Sequence, residues 1–125
     1  MFLEPGRDFP RETYTLRQLG TGQVLAARAE IALTRADRNR GLLGRDHLPE
    51  GDGLVLAPCF SIHTAFMRFP IDVIFVKRDG RVVKTSPAVP AWRMRVGWGA
   101  YAVVELPAGT MRQASLKVGD MLELV

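Results

Sequence analysis

Ile71-Asp72-Val73-Ile74-Phe75-Val76, followed by Lys77-Arg78-Asp79-Gly80 and Arg81-Val82-Val83-Lys84, is the stretch that decides the fold. β-Branched and aromatic residues crowd the first run, Asp79-Gly80 supplies turn chemistry, and the second run can fold back as its partner, so the segment predicts a β-hairpin. Ile71, Val73 and Phe75 share one face of the first strand. Asp72 shares the other with Ile74 and Val76, so both faces read as buried. An acid in that position costs several kcal/mol unless a guanidinium or a set of backbone N–H groups answers it. Arg68 and Arg93 are the candidate cations.

Upstream, Thr13 to Arg17 and Gln23 to Thr34 read as two strands around the Gly20-Thr21-Gly22 turn. Thr34-Arg35-Ala36-Asp37 resembles a capping box and predicts a short helix that stops near Gly44, with Leu42 and Leu43 docked on the sheet. Leu54 to Ala57 is a short strand ended by Pro58. Downstream, Ser86 to Gly99 predicts an ordered, packed loop. Tyr101 to Leu106 and Met121 to Val125 predict strands, and Thr110 to Leu116 a helical turn. Residues 1–12, with Pro5, Gly6 and Pro10, predict an N-terminal tail or irregular lead-in, leaving 13–125 as one β-rich domain. The expected fold is mainly β, an antiparallel β-barrel or two-sheet sandwich with one or two short helices.

With 125 residues the chain can bury a core without metal or disulfide, and the single Cys59 provides neither an internal disulfide nor a Cys-pair zinc framework. Apolar runs are short and the first residues lack a signal-like stretch, which predicts a cytoplasmic protein with no membrane partner. Of the 17 basic residues 14 are Arg and 3 are Lys, for a net charge of +4. That bias suits anion recognition, or simply reflects codon usage. Without a stacking motif or basic run, it gives little support to a nucleic-acid partner.

Cys59-Phe60-Ser61-Ile62-His63-Thr64-Ala65-Phe66-Met67-Arg68-Phe69 is where reactive and large apolar side chains mix. The leading expectation is a small-molecule or anion-binding domain whose site holds His63, Thr64, Arg68, Asp72 and Arg93. A second is a cysteine-dependent enzyme for acyl transfer or redox chemistry, with Cys59 as nucleophile and His63 as base. An extended chain would hold those two roughly 13 Å apart, so only a bend makes them a local pair. A third is an interaction or nucleic-acid module using the arginines. A metal site would need Cys59 and His63 joined by His47 and by Asp46 or Asp72, a spacing that matches no standard zinc pattern, so no metal is expected. Trp92-Arg93-Met94-Arg95 could wall a ligand site or plug an end of the fold. Arg38, Arg40 and Arg45 read as a solvated face, with Gly41 and Gly44 leaving room for close approach. No cofactor pattern is present, and oligomeric state stays open.

Arg40-Gly41-Leu42-Leu43-Gly44-Arg45, Leu48 to Leu54, Ile62 to Val76, Val104-Glu105-Leu106-Pro107-Ala108-Gly109 and Val118-Gly119-Asp120 together resemble the prokaryotic domain-of-unknown-function 192 family. The likeness runs from about Thr15 to Leu124. It implies one small β-rich domain with no assigned activity, and supplies no catalytic residues to transfer. Many members of that family carry Trp-Met-Lys-Asn-Thr where this chain has Phe66-Met67-Arg68-Phe69.

Overall fold

All six residues of Ile71–Val76 are buried, as the two apolar faces of that run require. The computed structural model describes residues 1–125. In chain order it contains β1 (Thr13–Gln18), β2 (Val24–Ala32), α1 (Arg35–Arg40), β3 (Asp52–Leu56), β4 (Ser61–His63), β5 (Ile71–Val76), β6 (Val82–Val89), β7 (Met94–Val96), β8 (Ala102–Pro107), α2 (Thr110–Ala114) and β9 (Leu122–Leu124). Seven strands form one sheet in the order β6-β5-β8-β3-β2-β1-β9, and β4 pairs with β7 in a separate two-stranded ribbon. No helix is long and apolar enough to cross a membrane.

Every strand of the large sheet sends residues into one apolar cluster, including Leu16, Ala26, Val55, Ile74, Val82, Val104 and Leu122, so the sheet curls around a common interior. It does not close into a barrel. The edge strands β6 and β9 meet only at the single bridge between Arg81 and Met121. The N-terminal residues occupy the seam beside that bridge: Leu124 N–H donates to Met1 O at 2.7 Å and Leu3 N–H to Arg78 O at 3.1 Å. Phe2 between them is fully buried. The expected lead-in therefore has no strand of its own yet contributes to the core.

The outer face of β3, β8 and β5 carries a second cluster that includes Leu54, Leu56, Ile71, Val73, Phe75 and Val103. Two features cover it. One is the connection between β2 and β3, a parallel pair in an otherwise antiparallel sheet, which needs a crossover; α1 and buried Leu42 and Leu48 provide it. Thr34 caps α1 by accepting from Asp37 N–H at 3.1 Å, as the capping pattern predicts. The other cover is the β4–β7 ribbon, whose partly buried Ile62, with nearby Met67 and Phe69, packs on the cluster. The ribbon and the length of β6 are the main departures from expectation. Pro87 does not stop β6, because β6 is an edge strand and Pro87 lies where its register with β5 shifts, between Ser86 opposite Val73 and Val89 opposite Ile71.

Candidate functional site

Asp72 and Glu105 are acids on adjacent strands facing opposite ways. Asp72 pairs with Leu106 across the β5–β8 ladder, so Glu105, one residue earlier, points to the other face. Both side chains are buried, Asp72 to 1% and Glu105 to 6% exposure. Their surroundings differ completely.

The Asp72 carboxylate accepts three backbone N–H bonds, from Ala88 at 2.8 Å, Gly109 at 3.1 Å and Met111 at 2.9 Å. It ties β6 and the start of α2 to β5, and these amides, rather than Arg68 or Arg93, answer its charge. Glu105 lies on the outer face between Leu54 of β3 and Val73 of β5. No side-chain hydrogen bond or ion pair engages its carboxyl group. Burial pushes its pKa up to about 7, with the Arg45 guanidinium opposing that rise. Arg45 itself is bonded to Glu30 at 3.0 Å, on the same cross-strand row.

Glu105 forms part of the floor of a cavity of about 310 Å³. One wall is α1 and the turn after it, from Arg38 to Leu43; the other is Cys59, Ser61, His63 and Met67. Ser61 and His63, two residues apart in β4, share a side of that strand; Cys59, before the bend at Phe60, lines the same cavity. Arg38 is held at the rim, its guanidinium donating to Leu33 O at 2.6 Å and Ala57 O at 3.4 Å. The cavity thus pairs an acid that makes no protein hydrogen bond with cationic, imidazole and hydroxyl groups, over an apolar base that includes Leu56.

Of the residues singled out in the sequence, His63 and Cys59 reach this cavity. The other four expected binding residues, Thr64, Arg68, Asp72 and Arg93, do not share it. Thr64 is buried and donates to Pro90 O at 2.6 Å while accepting from Arg93 N–H at 2.9 Å, which fastens the long loop. Arg68 is exposed and forms an ion pair with Asp46. Arg93 is exposed, its guanidinium turned onto the carbonyls of Ala91 and Trp92. Asp72 faces the opposite side of the sheet.

Cys59 and His63 form no hydrogen-bonded pair, and the thiol donates instead to Ser61 O at 3.1 Å. Burial pushes the thiol pKa up, and the Glu105 carboxylate adds to that while the Ser61 contact and Arg38 oppose it. A raised thiol pKa is the opposite of what a poised nucleophile needs. No three of the His, Cys, Asp and Glu side chains gather in a way that would hold a metal ion. Glu105 is the residue that sequence reasoning missed. The signal was present: in Val103-Val104-Glu105-Leu106 an acid interrupts an apolar strand as Asp72 does in β5.

The profile of DUF192, described as "Uncharacterized ACR", matches residues 17–124. A UPF0127 protein of Thermococcus sibiricus is 33% identical over 107 residues, 82% of this chain and 69% of the relative. The solved structure of a protein of unknown function from Novosphingobium aromaticivorans is 26% identical with a TM-score of 0.75, over 89% of this chain and 83% of that one. A second solved structure, from Sinorhizobium meliloti and described as a conjectured transcription regulator, has a TM-score of 0.81 over 94% of this chain and 98% of its own. At 19% identity it speaks for the fold alone.

Proposed function

The chain belongs to the uncharacterised DUF192 family, and we propose that it is a binding domain for a small polar molecule held over Glu105 in the cavity between α1 and the β4–β7 ribbon. The observation that carries this reading is the unpartnered carboxyl of Glu105. Although the side chain is buried in the protein, its carboxyl group makes no protein hydrogen bond and opens into the cavity, so an occupant there can supply one. At neutral pH, with a pKa of about 7, Glu105 can accept from an ammonium or hydroxyl group, or donate as the acid. Arg38 and Arg40 at the rim suit an anionic group at the other end of the same ligand. A small hydroxy acid or amino acid has that combination. His63 would flank it and Cys59 would serve as an apolar, unreactive wall. A reduced thiol in the site fits a cytoplasmic setting.

The test is two-dimensional NMR of the wild type and of Glu105→Leu, titrated with a panel of small hydroxy acids, amino acids and polyols. The expected result is a saturable set of amide shifts at Arg38, Cys59, His63 and Glu105 in the wild type, lost in the variant. Shifts that persist unchanged in Glu105→Leu, or a panel in which no member moves these amides, would overturn the reading.

A further inference from the structure

The β4–β7 ribbon and its turns carry five large apolar side chains outward: Phe60 at 47% exposure, Phe66 at 72%, Trp92 at 61%, Met94 at 68% and Trp98 at 80%. Folded proteins scatter single apolar residues over their surfaces, but a cluster on one small element is a contact surface. The rings are arranged in two pairs. Phe66 meets Trp92 edge-on at 4.6 Å, and Phe60 meets Trp98 at 5.5 Å.

The first pair is held out at a backbone cost. Phe66 and Trp92 both have left-handed backbones, with φ of 64° and 65°, a conformation that bulky residues rarely adopt. Thr64 enforces it: its carbonyl accepts from both Met67 N–H and Trp92 N–H at 3.1 Å. Its buried hydroxyl clasps Pro90 and Arg93. Strain of this kind persists when the surroundings over-determine it, and here it turns two aromatic rings toward solvent.

Charge identifies the partner. The ribbon and its turns, 60–69 and 91–98, contain no Asp or Glu and hold Arg68, Arg93 and Arg95; Arg68 is ion-paired with Asp46, which leaves Arg93 and Arg95 as the cations without an acid partner. A second copy of the chain would bring the same cations against these. Single-stranded nucleic acid needs open ring faces along a cationic groove. Here the two aromatic pairs lie at opposite ends of the ribbon rather than in a continuous row, and Met94, between them, has no π-face. We propose that the ribbon docks on an anionic lipid surface, its tryptophans, phenylalanines and Met94 entering the interface while the arginines meet the headgroups. Short apolar runs argued against a membrane partner, but they bear on spanning segments. Aromatic residues spread over two turns and a ribbon leave no run to find.

Trp92 and Trp98 are the chain's two tryptophans, so tryptophan emission, excited selectively over that of Tyr14 and Tyr101, reports the ribbon. The protein is mixed with vesicles of phosphatidylcholine containing phosphatidylglycerol, or of phosphatidylcholine alone, and followed by flotation and emission. The expected result is flotation and a blue shift with the anionic vesicles, both weakened by salt and both weak with phosphatidylcholine alone. Arg93→Gln/Arg95→Gln should lower partitioning roughly tenfold or more. Trp92→Ser/Trp98→Ser, checked for folding by circular dichroism, should abolish flotation. Absence of flotation with anionic vesicles at low salt overturns the proposal. So does undiminished flotation of the folded tryptophan variant, or a blue shift produced by oligothymidylate and not by vesicles.

Discussion

Glu105 and Asp72 show how one kind of residue, an acid in an apolar strand, takes two roles according to the donors around it. Asp72 is saturated by three amides and works as a fastener. Glu105 has none, and its pKa rises from 4.5 to about 7. Between those values the folded protein keeps a proton that the unfolded chain has released. Stability therefore falls as pH rises from about 4.5 to about 7 and is level above that, with a total effect of about 3 kcal/mol from this residue. Glu105→Gln should remove this dependence, raising the urea midpoint at about pH 8 relative to wild type with little change at about pH 5. Parallel midpoints for the two proteins across that range would show that Glu105 is not a strained acid. Sequence reasoning identified the need for donors at Asp72, because Ile71 to Val76 is apolar on both sides. Which donors answer it depends on Ala88, Gly109 and Met111, residues 16 to 39 positions away, and that is set by tertiary structure.

The elements were legible where their signals are local. The run that forms β5, the Asp79-Gly80 turn and the Thr34 cap are read within a few residues, and the structure has each of them. The ribbon was not legible, because β4 and β7 have three residues apiece and their pairing joins Ser61 to Val96 across a long interval. What seats the ribbon is close packing at one glycine. A Cβ added to Gly97 would lie 2.3 Å from the Phe75 ring, so the backbone there rests directly on a core side chain. Gly97 N–H also donates to Phe60 O at 2.8 Å, closing the ribbon's end. Gly97→Ala should lift the ribbon off β5 at a cost of about 1–3 kcal/mol while leaving the large sheet intact. Limited trypsin digestion should then cut faster after Arg93 and Arg95, with an unchanged far-ultraviolet spectrum. A wild-type cleavage rate would mean that the ribbon is not held by this contact. Because the ribbon forms one wall of the cavity over Glu105 and also carries the exposed tryptophans, the same variant disturbs both proposed surfaces.

For the molecule as a whole, the question left by an incompletely closed sheet is what protects its interior along the open seam. Short strand-like runs separated by Gly, Pro and Asp turns indicated a mainly β domain, but the distinction between a barrel and an open sheet rests on whether β6 and β9 pair along their length, and the two edge runs carry no local mark of it. They pair at Arg81 and Met121, with Val82 N–H donating to Asp120 O at 2.8 Å and Leu122 N–H to Gly80 O at 2.9 Å. Beyond that point the chain's first residues take over. Arg7 donates to Phe2 O at 2.6 Å and to Leu124 O at 2.8 Å, and Arg78 donates to Leu3 O at 2.8 Å, so the segment is fastened from both sides of the seam. Phe2 fills the space between, fully buried in the cluster that all seven strands share. A residue in a loose tail would change stability by no more than about 0.5 kcal/mol on truncation. A buried phenylalanine costs about 3–5 kcal/mol, because its removal leaves a cavity as well as lost transfer energy. Phe2→Ala should therefore lower the urea midpoint by an amount typical of a central core position, and Phe9→Ala, at a half-buried site packed on the same cluster, by less. If Phe2→Ala unfolds at the wild-type midpoint, the seam is closed by the β6–β9 bridge alone and the first residues only lie against it.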